Sequence, residues 1–281
     1  MIPVGFDYVA PQSLEDAIGA LAEGGEEAKL LAGGHSLLPL MKLRLAAPTL
    51  LVDLRRVPGL TGIERQNGVF RIRAMTTHHQ VATGGLGLAS EAAATIADQQ
   101  VRNRGTIGGS LAHGDTAADM PAVLLAYEGD VAARGPSGER TIPAAELFED
   151  YLTTALAPDE VLTEVRLPSM DGYGFGYQKF NRRREDWAMV GACALVKKAP
   201  DGSCEDVRIG LTHMGSIPLR ASAAEDALRG RGLDSDAIAG AAEQAAEGTG
   251  PPGDLNATPE YKRHLARVLC RRALEEAAGR A

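Results

Sequence analysis

Cysteine is scarce. The chain has only Cys193, Cys204 and Cys270 among its 281 residues, and no two of them form a CxxC pair. That spacing excludes a zinc or iron–sulfur site built from this chain's own thiols and points to a reducing cytoplasm. Aromatic residues amount to 4%, with Trp187 the single tryptophan, so each one draws scrutiny. Excess positive charge is missing as well: the net charge is −8, which argues against a nucleic-acid groove or an anionic membrane patch. No apolar run reaches the length of a membrane span; Ala188 to Val196 suits a buried strand. The opening Met1-Ile2-Pro3-Val4-Gly5 has neither a basic n-region nor an apolar h-region. The expectation is a cytoplasmic protein with no membrane span and no nucleic-acid partner. The remaining composition, 44% hydrophobic and 23% charged, is that of an ordinary globular chain with room for one large domain or two to three small ones.

Glycine, by contrast, is concentrated at two informative places. Ala32-Gly33-Gly34-His35-Ser36 follows a short strand pattern, Lys29 to Ala32, and leads into helical spacing from Ser36 to Leu45. Thr106-Ile107-Gly108-Gly109-Ser110 precedes a second stretch of helical spacing. Read as turns, the glycine pairs permit positive φ and let a ligand approach the backbone, and successive N–H groups there can cradle an anion. A following helix N-terminus adds positive potential. Neither segment is a G-x-G-x-x-G fingerprint or a GK[ST] loop. On spacing alone, two ordinary tight turns explain the pattern better.

Along the rest of the chain, Ser13 caps a helix carrying Leu14, Ala17, Ile18 and Leu21 on one face, stopped at Gly24-Gly25. Thr49 to Leu54 is a strand, completing a β-α-β unit. Leu60–Ile63 and Val69–Ala74 flank the hairpin signal Asn67-Gly68. Helices are expected at Thr77–Ala82, at Leu88–Gln100, and at Asp119–Tyr127, the last with Asp119 as N-cap and Pro121 in its first turn. A hairpin about Gly135-Pro136-Ser137-Gly138, a short helix after Pro143 and a strand over Val161–Leu167 follow. Gly172 to Gly176 marks a composition shift. Beyond it come strands at Phe175–Asn181, Trp187–Lys197 and Val207–Met214. Helices near Ala221–Arg229, Ser235–Ala246 and Thr258–Ala278 close the chain, an α+β signature. No internal repeat of fixed period is present.

Thr106 and Ser110 offer hydroxyls, and Asp119 offers either a helix cap or a carboxylate that accepts two bonds from vicinal sugar hydroxyls. Trp187 suits stacking on a planar ring and equally a core anchor. His78-His79 and His113 lack a partner set for a metal. No serine–histidine–acid or paired-carboxylate arrangement assigns a catalytic residue.

The two segments taken together, Ala32-Gly33-Gly34-His35-Ser36-Leu37-Leu38-Pro39-Leu40-Met41-Lys42 and Thr106-Ile107-Gly108-Gly109-Ser110 with Asp119-Met120-Pro121, resemble the flavin-binding subunit of molybdenum hydroxylases. The likeness is nearest to the medium chain of aerobic carbon monoxide dehydrogenase, and more distant to the flavin domain of xanthine dehydrogenase. It extends over essentially the whole chain. The resemblance implies a two-part FAD-binding domain of the vanillyl-alcohol-oxidase type, residues 1–56 and 57–170, followed by a C-terminal domain of antiparallel sheet plus helices, 171–281. It implies that Ala32, Gly33, Gly34, His35 and Ser36 wrap the FAD diphosphate through backbone amides, with Leu31 and Leu37 flanking them in the cofactor site. Ile96 and Ala97 line the adenine side. Thr106, Gly108, Gly109 and Ser110 reach the diphosphate and ribityl region, and Asp119 a sugar hydroxyl. Leu162 and Trp187 lie at the isoalloxazine. Ser110 stands where the family often has Asn, and Met189 where some members have Lys, leaving Lys179 or Arg182 to balance charge at the flavin. The implied function is electron transfer. A molybdopterin-containing large subunit oxidises the substrate, a 2Fe–2S small subunit relays electrons, and this flavin passes them on. The implied assembly is a dimer of heterotrimers, which can bring the chain to the inner face of the membrane. A self-sufficient FAD oxidoreductase and a non-catalytic nucleotide-binding protein are the competing readings.

Overall fold

The computed structural model describes residues 2–281. A three-stranded parallel sheet comes first. It contains β1 (Asp7–Val9), a strand that sequence patterning did not indicate. Helix α1 (Leu14–Gly24), β2 (Ala28–Leu31), helix α2 (Leu37–Leu43) and β3 (Leu50–Asp53) follow close to their expected places, and the sheet order is β1-β3-β2. Helix α1 starts where Ser13 Oγ accepts the Asp16 amide at 3.1 Å and stops where Gly25 takes φ +60°, the two capping devices a helix needs. Its Ala17, Ile18 and Leu21 pack with Val52 and Leu54 in a small core. The β2–α2–β3 connection leaves Ala32–Ser36 at the carboxyl end of β2, the edge where open α/β units present ligand loops.

Strands β4 (Ile63–Gln66), which runs up to the turn rather than over Leu60–Ile63, and β5 (Val69–Arg73) form a hairpin about Asn67-Gly68, with Asn67 at φ 51° and Gly68 at φ 74°, as a two-residue turn of this hand requires. Helix α3 (His78–Thr83) opens with a Thr77–Gln80 capping box. The alanine-rich stretch departs from expectation. In place of one helix over Leu88–Gln100 there are α4 (Leu88–Ala94) and α5 (Gln99–Arg102), separated by a break in which Ala97 has φ 41°. Asp98 accepts the Val101 amide at 2.8 Å, while the Arg102 guanidinium donates to the Ile96 and Ala97 carbonyls at 2.7 and 2.9 Å. These bonds override alanine's preference for helix. Helices α6 (Ile107–His113) and α7 (Asp119–Tyr127) precede β6 (Asp130–Gly135), β7 (Gly138–Pro143), helix α8 (Ala144–Leu147) and the small pair β8 (Phe148–Asp150) and β9 (Thr153–Thr154). With β10 (Val161–Pro168) they complete an antiparallel sheet of order β4-β5-β10-β6-β7.

The C-terminal sheet runs β11 (Tyr173–Phe180), β12 (Val190–Lys198), β13 (Cys204–Thr212) and β14 (Leu219–Arg220), antiparallel and in sequence order. Helices α9 (Ser222–Leu228), α10 (Ser235–Ala242) and α11 (Pro259–Arg280) follow, so the α+β expectation holds. The glycines of the Tyr173–Gly176 stretch are a packing seam. A side chain on Gly174 or Gly176 would collide with the carbonyls of Ala277 and Ala273, so α11 rides directly on the β11 backbone. Trp187 does not begin a strand: β12 starts only at Val190, and Trp187 sits in the preceding loop, 55% exposed. Among the described residues, no helix is long and apolar enough to cross a membrane.

Candidate cofactor site

The two glycine-rich segments meet. A Cβ on Gly33 would fall on the Arg104 carbonyl and lie 2.7 Å from Gly105 Cα, and one on Gly109 would lie 3.4 Å from Ala32 Cβ. The first segment is a loop, with Gly34 at φ +78°. The second is not a turn. Gly108 and Gly109 lie in the first turn of α6, with Thr106 as N-cap. Glycine at 108 serves close approach, since a Cβ there would sit 2.6 Å from that of Ala74.

Hydrogen bonding separates the two further. Ile107 N donates to Thr76 O at 3.0 Å and Gly108 N to Ala74 O at 2.9 Å; Gly109 N donates to Thr106 Oγ1 at 3.2 Å and Ser110 N to Thr106 O at 3.0 Å. The amides of the second segment are therefore engaged within the protein. In the loop, none of the N–H groups from Gly33 to Leu37 donates to a protein acceptor among the described residues. An anion-binding concavity requires such free consecutive donors. The expectation of two equivalent cradles is thus corrected. The loop carries the free amides, and the start of α6 contributes close backbone approach together with the hydroxyls of Thr106 and Ser110.

These segments wall a cavity of about 420 Å³, within the range of about 300–1,000 Å³ usual for ligand pockets. Ala32 to Leu37 form one wall, and Ile96 and Ala97, turned in by the break between α4 and α5, form another. Thr106, Gly108, Gly109 and Ser110 line the floor together with Asp119 and Leu162, and Trp187 stands at the rim. Leu31 is the exception among the residues singled out by sequence. Its side chain alternates to the other face of β2 and packs with Met41 and Leu51. Of the two alternative cations, Lys179 lines the cavity, whereas Arg182 does not and pairs with Asp186 at 3.7 Å. Sequence reasoning missed the wall from Thr154 to Glu160, whose apolar Leu156-Ala157-Pro158 before a strand was its only signal.

Asp119 is not a helix cap. Ala118 holds the N-cap position, and the Asp119 carboxylate, 5% exposed, takes the Tyr177 hydroxyl on Oδ1 and Lys179 Nζ on Oδ2 at 3.0 Å. Burial, and then the Asp119 charge, push the Tyr177 hydroxyl well above its ordinary range, so it remains a donor. His78 lies in the wall with Nδ1 buried and without a partner among the described residues. Burial, with His35 and Arg102 nearby, lowers its pKa to about 4. Burial likewise lowers His113, against the opposing pull of Asp115. Glu160 is held below its usual value chiefly by the Arg140 guanidinium.

A run of free amides, glycines that bring backbone against backbone, apolar walls at Ile96, Ala97, Leu156 and Leu162, and an unpartnered buried imidazole nitrogen together suit a dinucleotide with a diphosphate centre and planar ends. Fold and cavity define a dinucleotide-binding α+β protein. Comparison with known proteins identifies the dinucleotide. Residues 4–170 match the FAD binding domain in molybdopterin dehydrogenase, and residues 175–277 the CO dehydrogenase flavoprotein C-terminal domain. The chain belongs to this family of FAD-binding medium chains. It is 41% identical to the carbon monoxide dehydrogenase medium chain of Hydrogenophaga pseudoflava, covering 100% of this chain and 99% of that one. It is also 41% identical to the 6-hydroxypseudooxynicotine dehydrogenase complex subunit alpha of Paenarthrobacter nicotinovorans, over 100% and 97% of the two chains. The solved carbon monoxide dehydrogenase of Hydrogenophaga pseudoflava superposes with a TM-score of 0.97 at 42% identity, each chain covered completely.

Proposed function

We propose that this chain is the flavin-bearing, electron-transferring subunit of a molybdenum hydroxylase complex of the carbon monoxide dehydrogenase type. In this reading a molybdopterin-containing large subunit carries the substrate chemistry and a 2Fe–2S small subunit delivers electrons. The assembly is a dimer of heterotrimers, in the cytoplasm or at the inner face of the membrane. FAD, when bound, accepts electrons singly and releases them singly or in pairs to an external acceptor. The chain itself divides into 1–56, 57–170 and 171–281, a division supported by its three main sheets.

The protein's own part is binding, orientation and electrostatics. The free amides of Gly33 to Leu37 hold the diphosphate, with Ala32 and the hydroxyls of Thr106 and Ser110 beside them. Gly108 and Gly109 keep the opposite wall close. Ile96 and Ala97 cover the adenine, while Leu162 and Trp187 cover the isoalloxazine. Asp119, fixed by Tyr177 and Lys179, accepts from a sugar hydroxyl, and Lys179 supplies positive charge near the ring. Two of the relatives are named for carbon monoxide and 6-hydroxypseudooxynicotine, unlike compounds, yet their chains align with this one end to end. Substrate choice therefore belongs to a partner chain.

One observation carries the reading: a loop of unengaged amides closed against a second glycine-rich segment around a shared cavity. The test is to purify the chain with its partners and ask which compound reduces the flavin of the assembled complex. Reduction that requires the partners supports the relay. Reduction of the lone chain by an organic substrate would replace it with a self-sufficient oxidoreductase.

A further inference from the structure

Lys262, on the first turns of α11, is completely buried, a rare state for a lysine. Its Nζ donates to Asp254 Oδ2 at 2.6 Å and lies 3.3 Å from His213 Nε2. Burial works against ionisation of Asp254, but Lys262 and the amides of Asn256 and Ala257 outweigh it and hold the carboxyl below its usual value. The other imidazole nitrogen, His213 Nδ1, is 2.9 Å from the carbonyl of Ala188. A carbonyl only accepts, so Nδ1 carries the proton. Nε2 of the neutral ring is then the acceptor for the ammonium. His213 stands at φ +62°, a conformation uncommon for a residue of its size. Its amide donates to Thr116 O at 2.8 Å, and Thr116 Oγ1 donates to Gly215 O at 3.0 Å.

The residues held this way adjoin the cavity. Ala188 follows Trp187, and Thr116 lies between Asp115 and Ala117, all three neighbours being wall residues. We propose that Lys262 and His213 are positioning residues for the flavin site. The buried ammonium fixes the imidazole, the imidazole fixes the Trp187 loop, and the His213 main-chain amide holds the Asp115–Asp119 segment, so the C-terminal helix sets the shape of the cavity wall. This rests on the flavin reading of the cavity.

Because Trp187 is the only tryptophan, its emission and its quenching by acrylamide report the loop directly, with or without cofactor. The experiment compares the full-length chain with Lys262→Met, His213→Asn and the double variant; asparagine tolerates the left-handed backbone at 213. The expected result is folded variants in which cofactor-free Trp187 is more readily quenched. FAD dissociation constants should rise about fivefold, the worth of one hydrogen bond. The double variant should show no more than the larger single effect, since Lys262 acts through His213. Folded variants with unchanged Trp187 quenching and unchanged FAD affinity overturn the proposal, as does full additivity. Should Lys262→Met fail to fold, His213→Asn decides by the same readouts. A wild-type chain that takes up no FAD would overturn the flavin reading, while the cofactor-free quenching series would still decide whether Lys262 and His213 set the loop.

Discussion

Replacing Gly33 by alanine isolates the closeness of the two segments. Gly33 is not at positive φ, so alanine suits the backbone, and the added methyl acts by contact alone. It would fall on the Arg104 carbonyl and 2.7 Å from Gly105 Cα, where ordinary contact begins at 3.4 Å. Both obstacles are main chain, so no side chain can swing aside, and the loop must withdraw by about 0.7 Å at Gly105, more at the carbonyl. Such a shift takes an amide at normal donor distance out of good hydrogen-bond range. Losing one bond to a charged phosphate oxygen removes about 1.5–3 kcal/mol, a rise in Kd of roughly 10- to 150-fold. The matched control is Gly19→Ala on α1, where an added methyl meets nothing within 4 Å. It should leave FAD affinity alone and stabilise the chain by about 0.5–1 kcal/mol. Titration of the cofactor-free chains with FAD, by calorimetry or by quenching of flavin fluorescence, measures both. A folded Gly33→Ala chain that binds FAD within about twofold of the parent would show that the two segments do not grip one ligand.

Asp119→Asn leaves the Lys179 ammonium, 6% exposed, without its counter-charge. Breaking a buried pair from one side costs about 3–5 kcal/mol, so the thermal midpoint should fall clearly, and Asp119→Ala should lose FAD retention as well. His78 has a pKa of about 4 in the folded chain against 6.5 for the free side chain, so the unfolded chain takes up the proton first. Its contribution is intact above pH 6.5 and is lost as pH falls to about 4, by about 3 kcal/mol at most. Denaturant titrations over that interval should show a shallower decline in His78→Gln. On the proposal that neutral amides of the Gly33–Leu37 loop hold the diphosphate, FAD affinity should change by no more than about threefold between low and high salt. A steep decline would assign the grip to a charged side chain such as Lys29.

Much of the fold is legible because its signals are local. Ser13 at the start of α1, Asn67-Gly68 in the hairpin and Pro168 at the end of β10 each act on their immediate neighbours. The misses share a different origin. Ala97 breaks a helix that composition favours because Arg102 and Asp98 bond its surroundings, and no propensity encodes that arrangement. Asp119 reads as a cap, and Tyr177 and Lys179 claim it from a strand far along the chain. Gly108 reads as a free phosphate donor, and its amide belongs to Ala74, just past the end of β5. At Asp119 and Gly108 a partner far along the chain decided the residue's use, and at Ala97 side-chain bonds from residues just downstream did so.

That same reassignment explains how an acidic protein can receive a doubly negative ligand. The cavity wall holds Asp115, Asp119, Glu160, Glu185 and Asp186, and each would repel a diphosphate if left bare. Four of the five are engaged by other groups: Asp115 by the Ala117 amide, Asp119 by Lys179 and Tyr177, Glu160 by Arg140, and Asp186 by the Arg183 amide. With four of the carboxylates engaged, the row of N–H groups from Gly33 to Leu37 supplies the positive potential at the loop. A net charge of −8 is therefore compatible with anion binding here, because long-range repulsion is screened over about 8 Å at physiological salt while the amides act at contact.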